Sequence, residues 1–153
     1  MKNLFKFFGI IAFVAVIGLV PGIVAHAQSG DDALFIVFPA YATDLKDVSQ
    51  EEAIHNSQML TAVAQILKDN PRYRILVDGH ANRVLRTAKE EAETLKPMSA
   101  KRAEEAARIL VTQYKVDKNR LIITSGGGKY PSSSNDPAMN RRVSFFVITP
   151  LDR

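Results

Sequence analysis

The order in which short apolar runs and longer amphipathic stretches alternate is the feature that most constrains the fold of this chain. Four short runs are rich in β-branched and aromatic residues, which is typical of β-strands. Two longer stretches repeat apolar residues with the period of a helix. The order of strand, helix, strand, helix, strand, strand favours a two-layer α/β (α+β) sandwich, with helices covering one sheet. The predicted strands cover residues 34–38, 73–78, 121–124 and 143–148.

The first helix has a clear start and a clear end in the sequence. Ser49 and Glu52 have the spacing of a capping box, in which each side chain accepts a hydrogen bond from the other residue's backbone N–H. Asn70 and Pro71 supply a residue that tolerates the left-handed conformation and one that cannot continue a helix. A helix is therefore predicted over about 50–68. Its apolar face consists of Leu60, Val63, Ala64 and Leu67.

A second long helix is predicted to begin at Ser99, because small and apolar residues recur with helical spacing from there. A shorter polar helix over 88–95 is predicted in the loop before it, where Thr87 and Glu90 form a second capping box. The small side chains of the long helix allow a close approach to the sheet. Its apolar stripe consists of Ala103, Ala106, Ala107, Leu110 and Tyr114.

Arg102 is an unusual residue for the first turn of this predicted helix. The positive end of the helix dipole favours acidic side chains there, yet Lys101 and Arg102 are both basic. The free amides and a planar guanidinium would together bind a carboxylate or a phosphate, so Arg102 is expected to face an anion pocket and not the core. The alternative is a surface arginine that pairs with an acid such as Glu105 or Asp78.

The N-terminus has the layout of a secretory signal. Lys2 and Lys6 form a basic start, an uncharged apolar run covers 7–25, and Ala-His-Ala at 25–27 supplies small residues two apart. We expect cleavage after Ala27 and export to the periplasm, in association with the outer membrane. The alternative is an uncleaved anchor, because the apolar run approaches the ~20 residues that span a bilayer.

The charge and cysteine content narrow the function classes for the exported part. The chain carries a net charge of +4, but without Lys2 and Lys6 only 18 basic residues face 16 acidic ones. This small positive excess does not indicate nucleic-acid binding. The chain contains no cysteine, so the domain has no disulfide and no thiol chemistry. We expect a short polar leader over 28–33 and one domain over 34–149.

Two further motifs contain residue types that occur in catalytic, metal-binding or phosphate-binding sites. Both lack the other residues that such sites need. Asp78 and His80 lie at the end of the second predicted strand and just after it, where sites gather in α/β proteins, yet no marked nucleophile and no metal-binding set accompanies them. Gly-Gly-Gly-Lys at 126–129 lacks the spacing, the Ser or Thr and the helix of a phosphate-binding loop. We predict no catalysis, no cofactor and no metal.

Several short motifs also form a series in chain order. They are Val-Asp-Gly-His at 77–80, Met-Ser-Ala-Lys-Arg-Ala at 98–103, Arg-Leu at 120–121, Gly-x-Gly-x-x-Pro at 126–131, Asn-Asp at 135–136 and Asn-Arg-Arg-Val at 140–143. This series resembles the OmpA-like C-terminal domain, which also occurs in peptidoglycan-associated lipoproteins and flagellar stator B subunits. The resemblance implies a mixed four-stranded sheet covered by helices and a non-catalytic module that binds peptidoglycan non-covalently.

The resemblance also implies a site. The family pocket holds the diamino acid of the stem peptide, with an arginine for its carboxylate and an aspartate for its amino group. These positions are Arg102 and Asn82 here, and Tyr41 and Met98 would form pocket walls. Because an amide replaces the family's carboxylate at Asn82, the charge-assisted contact is lost. Gly-His-Ala-Asn at 79–82, with a longer loop after it, resembles some spirochaete relatives.

Retained but altered wall binding is therefore the expected function, with the peptidoglycan stem peptide as the partner. Outer-membrane proteins and a second copy of the chain, as a homodimer, are further partners to consider. The alternative function is an outer-envelope structural or interaction protein that keeps the fold, has lost wall binding and binds a protein partner.

Overall fold

The predicted order of strands and helices is confirmed. The structure is a computed structural model that describes residues 34–82, 87–129, 137 and 139–150. Its strands are β1 (Leu34–Val37), β2 (Arg74–His80), β3 (Leu121–Gly127) and β4 (Arg142–Ile148). Its helices are α1 (Gln50–Asp69), α2 (Ala88–Glu90) and α3 (Lys96–Thr112), with a π-helical turn (Glu91–Leu95) between α2 and α3 and a short 3-10 helix (Lys118–Arg120) before β3.

The four strands form one mixed sheet in the order β1-β4-β2-β3. β2 runs parallel to β3, and β4 runs antiparallel to both β1 and β2. β2 is longer than predicted because it has a partner on both sides, and its pairing with β3 continues to His80 opposite Gly127. His80 therefore lies within the strand and not after it, while Asp78 lies in the strand as its predicted bounds have it.

Helices pack on the sheet closely enough to exclude a side chain at one position. A Cβ at Gly79 would overlap the backbone carbonyl of Ser99 and come within 3.2 Å of the Ala103 side chain. This contact explains why the helix carries small residues on its inner face. The core consists of Ile36, Phe38, Leu60, Val63, Leu67, Ile75, Val77, Ala103, Ala106, Ile109, Leu110, Val116, Val143 and Phe145.

The helix that precedes β3 begins earlier than the sequence indicates. The Thr87 and Glu90 capping box is present, and the chain then stays helical through the π-helical turn into α3. The expectation of a separate helix that begins at Ser99 is wrong. The widened turn directly precedes Pro97, which has no N–H to donate and whose ring would clash inside a regular helix. Ser99 donates to the Lys96 carbonyl instead of capping a helix.

Side chains of α1 form hydrogen bonds with the backbone groups of β1, which is an edge strand of the sheet. The Asn56 amide donates to the Val37 carbonyl at 2.9 Å and accepts from the Val37 N–H at 2.8 Å. His55 Nε2 lies 3.1 Å from the Phe35 carbonyl. An edge strand whose backbone groups are already bonded cannot pair with another chain along those groups. α1 therefore fixes β1 and the loop that joins them.

Candidate functional site

Arg102 holds the β1–α1 loop against the end of β2 through three backbone carbonyls. Its Nε donates to Ala42 at 2.8 Å, its Nη1 to His80 at 3.1 Å and its Nη2 to Pro39 at 3.3 Å. The guanidinium also lies 5.6 Å from the centre of the Phe38 ring. We call Arg102 and these three carbonyls the clamp site. It joins three elements that are distant in sequence: a loop, a strand end and a helix.

The surroundings of Arg102 differ from those expected. The side chain is only 1% exposed, so it belongs to the buried face of α3 and does not project into an open pocket. Fourteen residues of continuous helix precede it from Ala88, so the free amides of a helix N-terminus are not available there. The sequence did contain a signal for burial, since Arg102 shares its helix face with Ser99 and Ala106.

The charge of Arg102 has no carboxylate to neutralise it in the described part of the chain. The ion pairs found there involve other residues, and Glu105 pairs with Arg108. Burial, together with the nearby positive charge of Arg141, lowers the pKa of Arg102 to about 10. Arg102 still remains charged at neutral pH. Among the described residues, backbone carbonyls and not carboxylates accept the hydrogen bonds of this buried charge.

Tyr41 lies on the loop that Arg102 holds. The Ala42 N–H donates to the Pro39 carbonyl at 3.3 Å, so Tyr41 is the third residue of a tight turn. Its φ of 59° is in the left-handed region, and its side chain is 83% exposed. Tyr41 therefore stands at the rim of the clamp site and does not form a buried wall.

Asn82 and Met98 lie close to the clamp site along the chain. Asn82 follows the His80 carbonyl by two residues, and its Oδ1 accepts from Asn140 Nδ2 at 3.4 Å. Met98 precedes Arg102 by one helical turn and is half-buried on the same side of α3. The structure therefore brings the elements that carry Arg102, Asn82, Tyr41 and Met98 to one end of the sheet. A ligand contact by any of the four remains a prediction.

His80 is a buried residue of the sheet. Its ring is 3% exposed, and its Nε2 lies 3.4 Å from Asp78 Oδ2. Burial lowers the pKa of His80 to about 4, the positive charge of Arg142 acts in the same direction, and Asp78 opposes both. Thr124 donates to the other Asp78 oxygen at 2.8 Å. The imidazole is neutral at physiological pH and is enclosed by neighbouring strands.

The glycine turn after β3 shows two residues that the sequence reasoning missed. Ser99 Oγ accepts from the Gly127 N–H at 3.1 Å, and Glu91 accepts from the Gly128 N–H at 2.7 Å. Gly127 has a φ of 60°, and a Cβ there would overlap the Glu91 carboxylate. In the sequence, Glu91 is recognisable only as a helical glutamate, and nothing there indicates that its carboxylate bonds the glycine turn. These contacts make the turn part of the scaffold that holds α3.

A concave part of the surface lies beside this turn. A cleft of about 340 Å³ is lined by both helix and turn residues. Arg102, Asn82, Tyr41 and Met98 are not among them. Within the described ranges, no group of three or more His, Asp or Glu side chains could hold a metal ion. The lining residues are Ala88, Glu91, Ala92, Lys96, Ser125, Gly126 and Lys129.

Three parts of the sequence prediction lie outside the described residues. They are the signal segment with its leader, over 1–33, Pro131 at the end of the Gly-x-Gly-x-x-Pro motif, and the Asn-Asp pair at 135–136. Among the helices that the structure describes, none has both the length and the apolar character needed to cross a bilayer.

Comparisons with known proteins agree with the fold. The sequence profile of the OmpA family matches residues 47–144. The peptidoglycan-associated lipoprotein from Burkholderia pseudomallei is 23% identical with a TM-score of 0.57, over 74% of this chain and 89% of that one. The OmpA-like domain of FopA1 from Francisella tularensis subsp. tularensis SCHU S4 is 17% identical with a TM-score of 0.61, over 77% and 72%.

A third structure is the periplasmic domain of Helicobacter pylori MotB, which is 23% identical with a TM-score of 0.52, over 76% of this chain and 71% of that one. A search of curated protein sequences gave no match. The structural neighbours share the mixed sheet and helices described above, and the sequence profile covers most of the domain. The chain belongs to the OmpA family.

Proposed function

We propose that this domain binds peptidoglycan without covalent attachment and without catalysis, at the clamp site. The observation that carries the proposal is the buried, charged Arg102, which no carboxylate of the described residues neutralises. A carboxylate of the stem-peptide diamino acid would supply the missing negative charge. The name of one structural neighbour, a peptidoglycan-associated lipoprotein, supports the same ligand class.

The hydrogen bonds of Arg102 suggest how a carboxylate could reach it. A guanidinium has five N–H groups, and three of them donate to backbone carbonyls here. The bond to Pro39 is the longest, at 3.3 Å, and it comes from a loop that carries the exposed Tyr41. A small shift of this loop would release that bond. The ligand carboxylate would then replace the Pro39 carbonyl as the acceptor.

Asn82 would face the amino group of the same ligand. Its amide oxygen can accept a hydrogen bond, but it lacks the charge that makes such a bond roughly twice as strong. Asn140 already donates to this oxygen at 3.4 Å, which is a long and weak bond. The site therefore depends more on the ligand's carboxylate than on its amino group. Met98 and Tyr41 would contact the apolar part of the ligand.

We also propose that the protein works in the periplasm after a signal peptide is removed at Ala27. The basic start, apolar run and small-residue site of the first 27 residues support this location. Mass measurement of the exported protein tests it: a loss of 1–27 supports cleavage, and the full mass supports the alternative of an uncleaved anchor.

Co-sedimentation with purified sacculi tests wall binding. The exported protein is expected in the pellet at low and at moderate salt, because a partly buried ion pair is screened less than a surface one. If the protein stays in the supernatant at both salt concentrations, wall binding is wrong. The alternative, an envelope interaction protein with this fold, then becomes the better account.

Asn82→Asp tests the geometry of the site. The new carboxylate is expected to strengthen binding to walls that contain diaminopimelate by roughly five-fold, because it adds a charged partner for the amino group. Asn119→Asp is the matched control, since it adds the same charge at an exposed residue of the 3-10 helix. Equal effects of the two changes would mean that Asn82 does not face the ligand.

A further inference from the structure

Tyr41 occupies a backbone position that tyrosine does not favour. A left-handed third residue in a tight turn is the position that glycine or asparagine normally fills. Tyr41 has a φ of 59° there, so its Cβ makes the conformation unfavourable. Strain of this kind persists where the surroundings enforce it, and it often marks a functional residue.

A second residue, Lys115, also has a left-handed backbone conformation, and its position at a helix end explains it. Lys115 has a φ of 60° and follows the end of α3. The Val116 N–H donates back to the Leu110 carbonyl, so the left-handed residue lets the chain turn at the helix end. Tyr41 follows no helix. The clamp contacts the chain on either side of Tyr41, through the Pro39 and Ala42 carbonyls.

The loop that carries Tyr41 is held from a second direction. Arg141 Nε donates to the Phe38 carbonyl at 3.1 Å, and the Phe38 N–H donates to the Arg141 carbonyl at 2.7 Å. Phe38 is fully buried. The base of the turn is therefore fixed, while the tyrosine ring is 83% exposed. This arrangement presents an exposed aromatic ring at the rim of the clamp site, on a turn whose base is held.

We infer that Tyr41 is a stacking platform for an amino sugar of the glycan strand. The inference rests on the proposed function, because the stem peptide is covalently joined to such a sugar and brings it beside the clamp site. One face of a pyranose ring presents C–H groups, which suit the negative face of an aromatic ring. The phenol O–H can bond a sugar hydroxyl or acetamido group. An exposed tyrosine, with only two side-chain torsions, provides both contacts at little cost in side-chain entropy.

Titration with two defined probes tests this inference. One probe is a disaccharide-peptide that carries N-acetylated amino sugars, and the other is the same stem peptide without sugar. The exported protein is expected to bind the disaccharide-peptide about three- to ten-fold more tightly, the range expected for one aromatic contact. In Tyr41→Gly that ratio is expected to fall to about one, while the melting temperature rises because the strain is relieved. Tyr41→Phe keeps the ring and is expected to keep most of the ratio.

Ile54→Ser is the matched control, because Ile54 is an exposed apolar residue on α1 that the proposed site does not use. It is expected to leave the ratio unchanged. A wild-type ratio of one, with both probes bound, overturns the sugar contact and leaves the proposed function standing. The sugar contact is also overturned if Tyr41→Gly still binds the disaccharide-peptide more tightly than the sugar-free stem peptide. The same holds if Tyr41→Gly keeps this sugar preference but no longer binds a protein partner of the wild type. Failure of the wild type to bind either probe contradicts the proposed function itself.

Discussion

Two arginines hold the two ends of this sheet in the same way but in different surroundings. Arg120, like Arg102, donates to three backbone carbonyls, which belong to Leu67, Asn70 and Tyr73. Those carbonyls lie at the C-terminal end of α1 and in the turn that follows it. The negative end of the helix dipole favours a positive charge there, and Arg120 is only partly buried.

The difference separates the structural role of Arg120 from the binding role that we propose for Arg102. Arg120 needs no further partner, because helix-end carbonyls and solvent surround its charge. Arg102 is 1% exposed, lies near the positive charge of Arg141 and holds a loop with a strained, exposed tyrosine. Equal numbers of hydrogen bonds therefore do not mean equal roles. Arg120 is the natural control for every experiment on Arg102.

Replacement of each arginine by alanine is expected to give the largest effect on stability. The two losses are expected to differ, although both arginines donate to three carbonyls. Arg102→Ala removes three charged hydrogen bonds from a buried site and is expected to lower the free energy of unfolding by about 3–4 kcal/mol. Arg120→Ala leaves carbonyls that water can reach, and about 1–2 kcal/mol is expected. Urea denaturation measures both. An equal loss in the two variants would contradict the difference in burial.

Gly79→Ala is expected to damage the Arg102 end of the sheet alone. The new Cβ would overlap the Ser99 carbonyl, so α3 must move away from β2. Overpacking of this kind costs about 2–3 kcal/mol, and the shift also pulls Arg102 away from the His80 carbonyl. Hydrogen exchange should therefore show faster exchange in the β1–α1 loop than in the turn held by Arg120. Uniform loss of protection across both ends would contradict this account.

Acid pH is expected to destabilise the fold through His80. Its pKa is about 4 in the folded protein against an ordinary value of 6.5, so the unfolded chain binds more protons between these values. The His80 contribution to stability is complete above pH 6.5 and is lost as the pH falls towards 4. Denaturation curves over this range test the effect. In His80→Gln the slope of stability against pH should be smaller, and an unchanged slope would assign the acid effect to other groups.

Tyr41→Gly is expected to have the smallest effect on stability and the opposite sign. Relief of the left-handed tyrosine is expected to raise the free energy of unfolding by about 1 kcal/mol, less the greater entropy of glycine in the unfolded chain. Thermal unfolding measures this gain. Lys115→Gly gives the comparison at a helix end, and a loss of stability in Tyr41→Gly would mean that the ring packs against the domain.

Local signals predicted much of the fold. Both capping boxes are present, and α1 ends within one residue of its predicted end, because Ser49, Thr87 and Asn70 act on neighbouring backbone groups. The continuous helix over 88–112 was not predicted, because Pro97 reads as a helix end unless the widened turn before it is known. Strand pairing, not the sequence of β2, extends that strand to His80.

The candidate site was less predictable because it is made by contacts between distant residues. The motif reasoning placed Arg102 and Asn82 near one end of the sheet, and the structure agrees with that placement. The burial of Arg102 depends on carbonyls 60 and 63 residues away in sequence, which no local pattern specifies. The left-handed conformation of Tyr41 follows from the same tertiary contacts and has no sequence signature, since glycine or asparagine would be expected there.

Wall binding by Arg102→Lys and Arg120→Lys tests the central claim most directly. Lysine keeps the positive charge but cannot form the forked hydrogen bonds of a guanidinium. In co-sedimentation with sacculi, we predict roughly ten-fold weaker binding for Arg102→Lys and wild-type binding for Arg120→Lys, with both variants folded by circular dichroism. Equal binding by the two variants would contradict the claim that the Arg102 end of the sheet is the peptidoglycan site.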